Sequence, residues 1–406
     1  MINKVTELKL KVRNNGDSGE VSRKLLKELV SLNGRIGFRG YTKNDIVERS
    51  NGVLTYSPTN IVNNKIVNYK NDTYISQDKY KESPEIMVKN NDILFVKTGS
   101  TLGKSALVRN LTEPATINPQ LIVIKTIHVD SDYLAVYLLT DSIQKQVFQV
   151  KIGGAVPTLT ETEIGKFVVK LPPLPEQTAI GSLFRTLDDL LASYKDNLTN
   201  YQSLKVTMLS KMFPKVGQTV PEIRLDGFEG EWENKILSEV TNITMGQSPK
   251  SENYTDNPND YILVQGNADI KDKQVVPRLW TTEVTKMAEI GDIILTVRAP
   301  VGDIGKTDYN VVIGRGVAAI KGNDFIFYTL EKMKMTGFWN KFSTGSTFES
   351  ISSNDIKEAI IQIPTLEEQK AIGAYFSNLD NLIVAHQEKI SQLETLKKKL
   401  LQDMFI

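Results

Sequence analysis

The 406-residue sequence contains no cysteine. Disulfide scaffolds, cysteine-ligated zinc, iron–sulfur clusters and thiol nucleophiles are thereby excluded. Histidine is nearly as scarce, with only His128 and His386, which leaves little for imidazole catalysis or a histidine-based metal site. No apolar run reaches the roughly 18 residues of a membrane span. The opening residues Met1 to Lys11 also lack the apolar stretch of a signal peptide. A strong excess of either charge is missing too, since 49 basic residues face 48 acidic ones. With 40% hydrophobic and 24% charged residues, the composition is that of a soluble globular protein, expected in the cytoplasm without a membrane partner. Its length calls for two or three domains.

The near-neutral total hides a gradient. Residues 1–221 carry 29 basic against 21 acidic side chains, whereas residues 222–406 carry 20 against 27. A global basic excess is the usual footprint of a nucleic-acid binder, and it is absent here. Any DNA contact in the second half therefore has to come from a local basic patch.

What the sequence does contain is itself, twice. The segment LPPLPEQTAIGSLFRTLDDLL from Leu171 returns as IPTLEEQKAIGAYFSNLDNLI from Ile363, displaced by 192 residues. Each copy predicts a long helix. Pro172 and Pro364 block helix just before it, and Glu176 and Glu368 fall in the first turn, where the positive end of the helix dipole favours acids. Apolar residues then recur at 180, 184, 187, 191, 194, 198, 201, 204, 208 and 212, and again at 372, 376, 379, 383, 386, 390, 393, 396, 400 and 404, with His386 in the seam. Matching heptad stripes predict that the helices pair as a coiled coil. Each would be about 55 Å long at about 1.5 Å per residue.

A block of comparable size precedes each helix. Both blocks are rich in Val-Ile runs broken by Asn, Gly, Asp and Pro, the pattern of short strands and turns. Asp92–Val96 corresponds to Asp292–Val297, each followed by a glycine turn ending Gly103-Lys104-Ser105 or Gly305-Lys306-Thr307. The stretches 35–91 and 247–289 do not match. The expected division is a first block 1–170, a helix 171–213, a linker 214–221, a second block 222–362 and a second helix 363–406.

This order resembles the specificity subunit of Type I restriction–modification systems. The most specific signs are the helix entries Leu174–Gly181 and Leu366–Gly373, with Arg224–Trp232 and Gly246-Gln-Ser-Pro249 as further matches. Many relatives carry a segment like 222–232 at their N-terminus as well, and this chain opens without one. The resemblance implies an α+β or α/β fold, in which two mixed β-rich target-recognition domains are joined by two long helices. These helices would form an antiparallel coiled coil related by a pseudo-two-fold internal repeat. It implies that each domain reads half of a split site on double-stranded DNA and that the helices space the domains. It further implies two docked methyltransferase subunits and, through them, restriction and translocase subunits. The chain itself would have no catalytic residue, metal or cofactor; S-adenosylmethionine, ATP and magnesium would belong to the partners. An enzyme with its own methyltransferase or nuclease activity, and a helical adaptor binding only protein, are the alternatives.

Candidate base readers are polar and basic residues of the unmatched stretches, because arginine suits guanine and Asn or Gln suits adenine in the major groove. They are Arg35, Arg39, Tyr41, Lys43 and Asn44 in the first block and Gln247, Ser248, Lys250 and Gln265 in the second, with Arg298 and Arg315 beside glycine turns. Lys97, Lys104 and Lys306, on or next to the glycine turns, suit DNA phosphates. Glu176, Gln177, Asp188, Glu368, Gln369 and Asp380 on the repeated helices are candidate methyltransferase contacts. Thr98–Ser105 looks like a phosphate-binding loop, but threonine stands at its first glycine position and proline at the equivalent Pro300. Asn118-Pro119-Gln120-Leu121 lacks the aromatic residue that an adenine methyltransferase loop requires.

Overall fold

The computed structural model describes residues 21–150, 157–342 and 350–405. They form two compact units. One holds the described residues up to Tyr194 together with those from Lys389 onward; the other is Lys195–Glu388. The expected long helices are present as Leu174–Lys211 and Leu366–Asp403. Each is divided between the units, so the boundary falls inside the helices rather than at their ends. Residues 214–221 belong to the second unit: the Ile223 amide donates to the Lys211 carbonyl, and that of Trp232 to the Thr219 carbonyl.

The first unit has an antiparallel sheet ordered Val30–Gly34, Leu121–Thr126, Ile93–Val96, Ser105–Leu107. A three-stranded sheet ordered Thr73–Ser76, Gly52–Tyr56, Ala115–Ile117 lies beside it, with the last pair parallel. The second unit repeats the design. Ile243–Met245, Val317–Ile320, Ile293–Thr296 and Ile304–Lys306 form the corresponding order, and Tyr261–Val264 runs parallel to Val311–Ile313. Central strands such as Ile93–Val96 and Ile293–Thr296 are buried on both faces, which explains their unbroken apolar runs. A two-stranded ladder precedes each long helix, Ser22–Leu25 with Val168–Leu171 and Glu233–Ile236 with Ile360–Ile363.

The glycine turn after Val96 joins two antiparallel strands. Gly99 and Gly103 have positive φ, and a strand rather than a helix follows. A phosphate-binding loop needs a helix N-terminus at that place, so the turn is a hairpin. Asn118 likewise forms a local turn, accepting from the Gln120 amide at 3.0 Å.

Within each unit the helix segments run antiparallel. In the first, Asp188 accepts from Lys397 Nζ at 2.5 Å, and Phe184 packs on Phe405. In the second, Asp380 accepts from Lys205 Nζ at 2.6 Å, and Tyr201 meets His386 edge-on at 5.1 Å. A displacement of 192 residues maps one ion pair onto the other. The apolar stripe holds except at Leu204, which is exposed, while Lys205 takes the inward position to reach Asp380. Each helix ends in an aromatic anchor. Phe405 sits among Tyr133, Tyr137 and Phe184 at 5.6–6.0 Å, and Phe213 among Trp232, Phe325 and Phe376 at 5.4–6.1 Å.

The repeated Ala-Ile-Gly has a steric cause. A Cβ on Gly181 would lie 2.6 Å from Asp132 Cβ and 2.9 Å from the Tyr133 nitrogen; on Gly373 it would lie 2.7 Å from Asp324 Cβ. At both places the long helix crosses the first turn of a shorter one, Ser131–Tyr137 or Asp324–Met335. Gly373→Ala is expected to lower stability by about 1–3 kcal/mol through overpacking, read as a lower denaturant midpoint for the loss of helical circular dichroism.

Candidate nucleic-acid interface

The polar residues of the helix entries are engaged inside the fold. Gln177 is buried, donates to the Pro172 carbonyl at 2.8 Å and accepts from the Asp130 amide at 3.0 Å. Gln369 donates to the Pro364 carbonyl at 3.0 Å and accepts from Asn323 Nδ2 at 3.0 Å. Each amide thus ties its own proline turn to the start of the shorter helix. Glu368, 1% exposed, forms a bidentate pair with Arg224 at 2.8 Å, and Arg224 also donates to the Gly230 and Glu229 carbonyls. The Arg224–Trp232 segment is therefore a clasp on the second helix. The sequence reading offered these side chains, with Asp188 and Asp380, as partner contacts; the structure places all five in internal hydrogen bonds or ion pairs. Glu176 differs: it is partly exposed and forms no ion pair among the described residues.

The base-reader candidates of the first domain divide in the same way. Arg35 is buried; its Nε donates to the Ile117 carbonyl at 3.0 Å and its Nη2 to Thr116 Oγ1 at 3.1 Å. Burial pulls its guanidinium below the usual arginine range, against the opposing field of Tyr41 and Glu85. Tyr41 lies under that guanidinium, and burial pushes its hydroxyl up. In the second domain the Gln247 amide donates to the Ile313 carbonyl at 2.8 Å. Arg35 thus does for the first domain what a backbone group does for the second. Arg39 pairs with Glu85 at 3.6 Å and Lys97 with Glu161 at 2.8 Å. Lys43, Asn44 and Lys104 are exposed. Arg35, Arg39 and Tyr41 lie together, with Arg35 Nη1 donating to the Arg39 carbonyl at 3.4 Å.

In the second domain four of them converge. Ser248, Gln265, Arg298 and Arg315 line one concavity of about 290 Å³ together with Tyr254 and Asn267. The loops are held from behind. Ser248 Oγ accepts from the Arg315 amide at 3.1 Å, Gln265 donates to the Tyr254 hydroxyl at 2.7 Å, and Asp269 accepts from the Gln265 amide at 2.8 Å. Gly316 leaves no room for a side chain beside the Gln265 carbonyl. Arg298 and Arg315 are exposed at the rim, and none of the lining residues is acidic. A second concavity shares Gln265 and Asn267 and adds Arg278, whose Nη1 donates to the Ala268 carbonyl at 2.7 Å. Tyr254, Asn267 and Arg278 were missed because nothing in an unmatched loop separates a cleft residue from a solvated one. Gln247 is exposed nearby, and Lys250 is exposed beside Glu252. Lys306 lies elsewhere, paired with Asp324 and over the Phe327 ring. Among the described residues, no group of His, Cys, Asp and Glu is arranged to hold a metal ion, and no helix is long and apolar enough to cross a membrane.

Two domains of one design, each preceding a long repeated helix, are the architecture of a two-part recognition protein. The chain belongs to the Type I restriction–modification DNA specificity family, whose model matches residues 24–202 and 229–395. It is 28% identical over 344 residues to a Methanocaldococcus jannaschii sequence assigned as the specificity subunit of type I restriction enzyme MjaX, covering 81% of this chain and 80% of the relative. A solved chain from work on complex assembly and conformational transition of a type I restriction–modification system is 25% identical, with a TM-score of 0.54 over 95% of this chain and 99% of the other. The S subunit from M. genitalium shares the fold at 14% identity, with a TM-score of 0.61 over 96% and 97%. The protein is a DNA-recognition subunit.

Two outcomes follow. Arg224→Ala leaves the buried Glu368 charge unpaired and should cost about 3–5 kcal/mol of stability, measured by denaturant unfolding. Arg298→Ala and Arg315→Ala should each weaken DNA binding with little change in the unfolding midpoint. If the side chain reads a base, the loss of about 1–3 kcal/mol is confined to one position of the site; if it holds a phosphate, the salt slope falls by about one instead.

Proposed function

We propose that each domain reads one part of a two-part duplex site and that the chain itself does no chemistry. It positions two methyltransferase subunits and, through them, restriction and translocase subunits, in the cytoplasm. S-adenosylmethionine, ATP and magnesium act on those partners. The observation that carries this reading is the contrast between an invariant scaffold and divergent loops. Strand order, helix entries and aromatic anchors repeat, whereas the stretch 247–289, which brings Ser248, Tyr254, Gln265 and Asn267 to the cleft, has no match in sequence in the first half. A protein that used both halves for one ligand would have no physical reason to vary those loops alone. A partner surface on the helices has to come from partly exposed residues such as Glu176, because Gln177, Glu368 and Gln369 are already engaged inside the fold.

Two measurements test this. Incubated with labelled S-adenosylmethionine and DNA, the chain alone should incorporate no methyl group, and adding a methyltransferase partner should restore incorporation; activity of the chain alone would refute the assignment. Replacing 222–362 with the matching block of a relative should change one part of the methylated motif and leave the other intact, as read by sequencing methylated DNA.

A further inference from the structure

The stretches that do not match in sequence contain a matching device. In the first domain a two-residue turn, Asn63-Asn64, joins Ile61–Val62 to Lys65–Ile66; in the second, Asp272-Lys273 joins Ile270–Lys271 to Gln274–Val275. All four turn residues have positive φ, between 49° and 64°. Each hairpin follows a short 3-10 turn, and the frame around each is the same. The Val67 amide donates to the Asn60 carbonyl as that of Val276 does to Asp269. The displacement here is 209 residues, not 192, which hides the correspondence. Each hairpin brings a lysine to the equivalent residue of the adjoining long helix from places one residue apart: Lys65, just after the turn, meets the Asp188 backbone carbonyl, and Lys273, within the turn, meets the Asp380 carboxylate.

The two contacts are unequal. Lys65 Nζ reaches only the Asp188 carbonyl, at 3.4 Å. Its hairpin is a separate two-stranded sheet. Lys273 Nζ meets Glu331 at 2.6 Å and Asp380 at 3.1 Å, and Lys205 Nζ meets the same two carboxylates at 2.9 and 2.6 Å. The Tyr328 hydroxyl donates to Asp380 at 3.0 Å. Two cations balance two anions around a lysine that is 6% exposed. In the first domain the residues 192 positions before Tyr328 and Glu331 are Val136 and Leu139, so no such network can form there. Lysine is also a costly occupant of a left-handed turn position, where Asn or Gly is usual. A residue held in that conformation marks a constraint supplied by its surroundings.

The hairpin is continuous with the cleft. Gln274 pairs with Lys306, and a side chain on Gly305 would strike Ile270. Ile304–Lys306 pairs with Ile293–Thr296, and Arg298 follows two residues later. We propose that the Lys273 hairpin is a strut that fixes the angle of the second recognition domain on its helices, and so the precision with which the gap between the two parts of the site is measured. The first-domain hairpin, which reaches its helix through Lys65 and a backbone carbonyl, contributes less to that precision. Lys273 and Glu331 are thus positioning residues, and the inference rests on the two-part reading proposed above.

The test is a methylation map of cells carrying the complete system with native or variant chain. Lys273→Met and the shape-conserving Glu331→Gln should keep both recognised sequences but raise methylation of sites whose gap is one base pair shorter or longer, by about tenfold relative to the native gap, as off-angle geometries become populated. Lys273→Arg should restore strict spacing, and Lys65→Met should leave spacing strict. A two-part motif kept at strict spacing by both strut variants overturns the strut alone. So does a uniform fall in methylation at unchanged spacing, which is the sign of destabilisation only. Equal loosening by Lys65→Met overturns the inequality of the two domains. A native map without any two-part motif overturns the underlying reading as well.

Discussion

Phe213 and Phe405 carry the constraint on which both units depend. Each ends a long helix and fills an aromatic core, Phe213 against Trp232, Phe325 and Phe376, Phe405 against Tyr133, Tyr137 and Phe184. A buried aromatic side chain removes a large apolar area from water and also fixes ring geometry. In each core it lies two residues past the end of the helix that did not grow out of that domain. Helix and domain therefore share one core at this joint. The glycine crossings at 181 and 373 and the amide ties at Gln177 and Gln369 make the same joint at the other end of the contact.

Polar chemistry within the second unit is divided between holding and reading. Lys205, buried at the helix seam, has its ammonium pulled below the usual lysine range by desolvation, against Glu331 and Asp380. Burial pushes the Tyr328 hydroxyl up, with Asp380 adding to the effect. Such a network contributes geometry more than stability, because desolvation offsets much of the Coulomb gain. The arginine-bearing cleft is built the other way. Asp269 and Ser248 hold its backbone and the Tyr254 hydroxyl holds the Gln265 side chain, while Arg298 and Arg315 are exposed.

Much of this architecture is legible in the sequence, and the illegible parts share a cause. Duplication at a single displacement exposes the helices, their entries and the strands before the glycine turns. The stripe reading fails at Leu204 because Lys205, paired with Glu331 and Asp380, takes the seam position instead, and partner identity is tertiary information. Arg35 reads as a base reader by residue type, yet its fork closes a gap that Gln247 closes with backbone. Glu368 and Gln369 look like surface because charged and amide residues usually are, and only the returning Arg224 clasp and Asn323 reveal otherwise. The paired hairpins escape notice since their strands are two residues long and their turn residues differ.

Division of the helices between units has a consequence for synthesis on the ribosome. The second unit, Lys195–Glu388, is contiguous, whereas the first needs Leu393, Leu400 and Phe405 to complete a core begun near Leu26. At roughly 5–20 residues per second, the interval between Tyr194 and Leu393 lasts roughly 10–40 s. During it Tyr133, Tyr137 and Phe184 wait without their capping ring. Completion of the first core thus follows synthesis of the whole second unit.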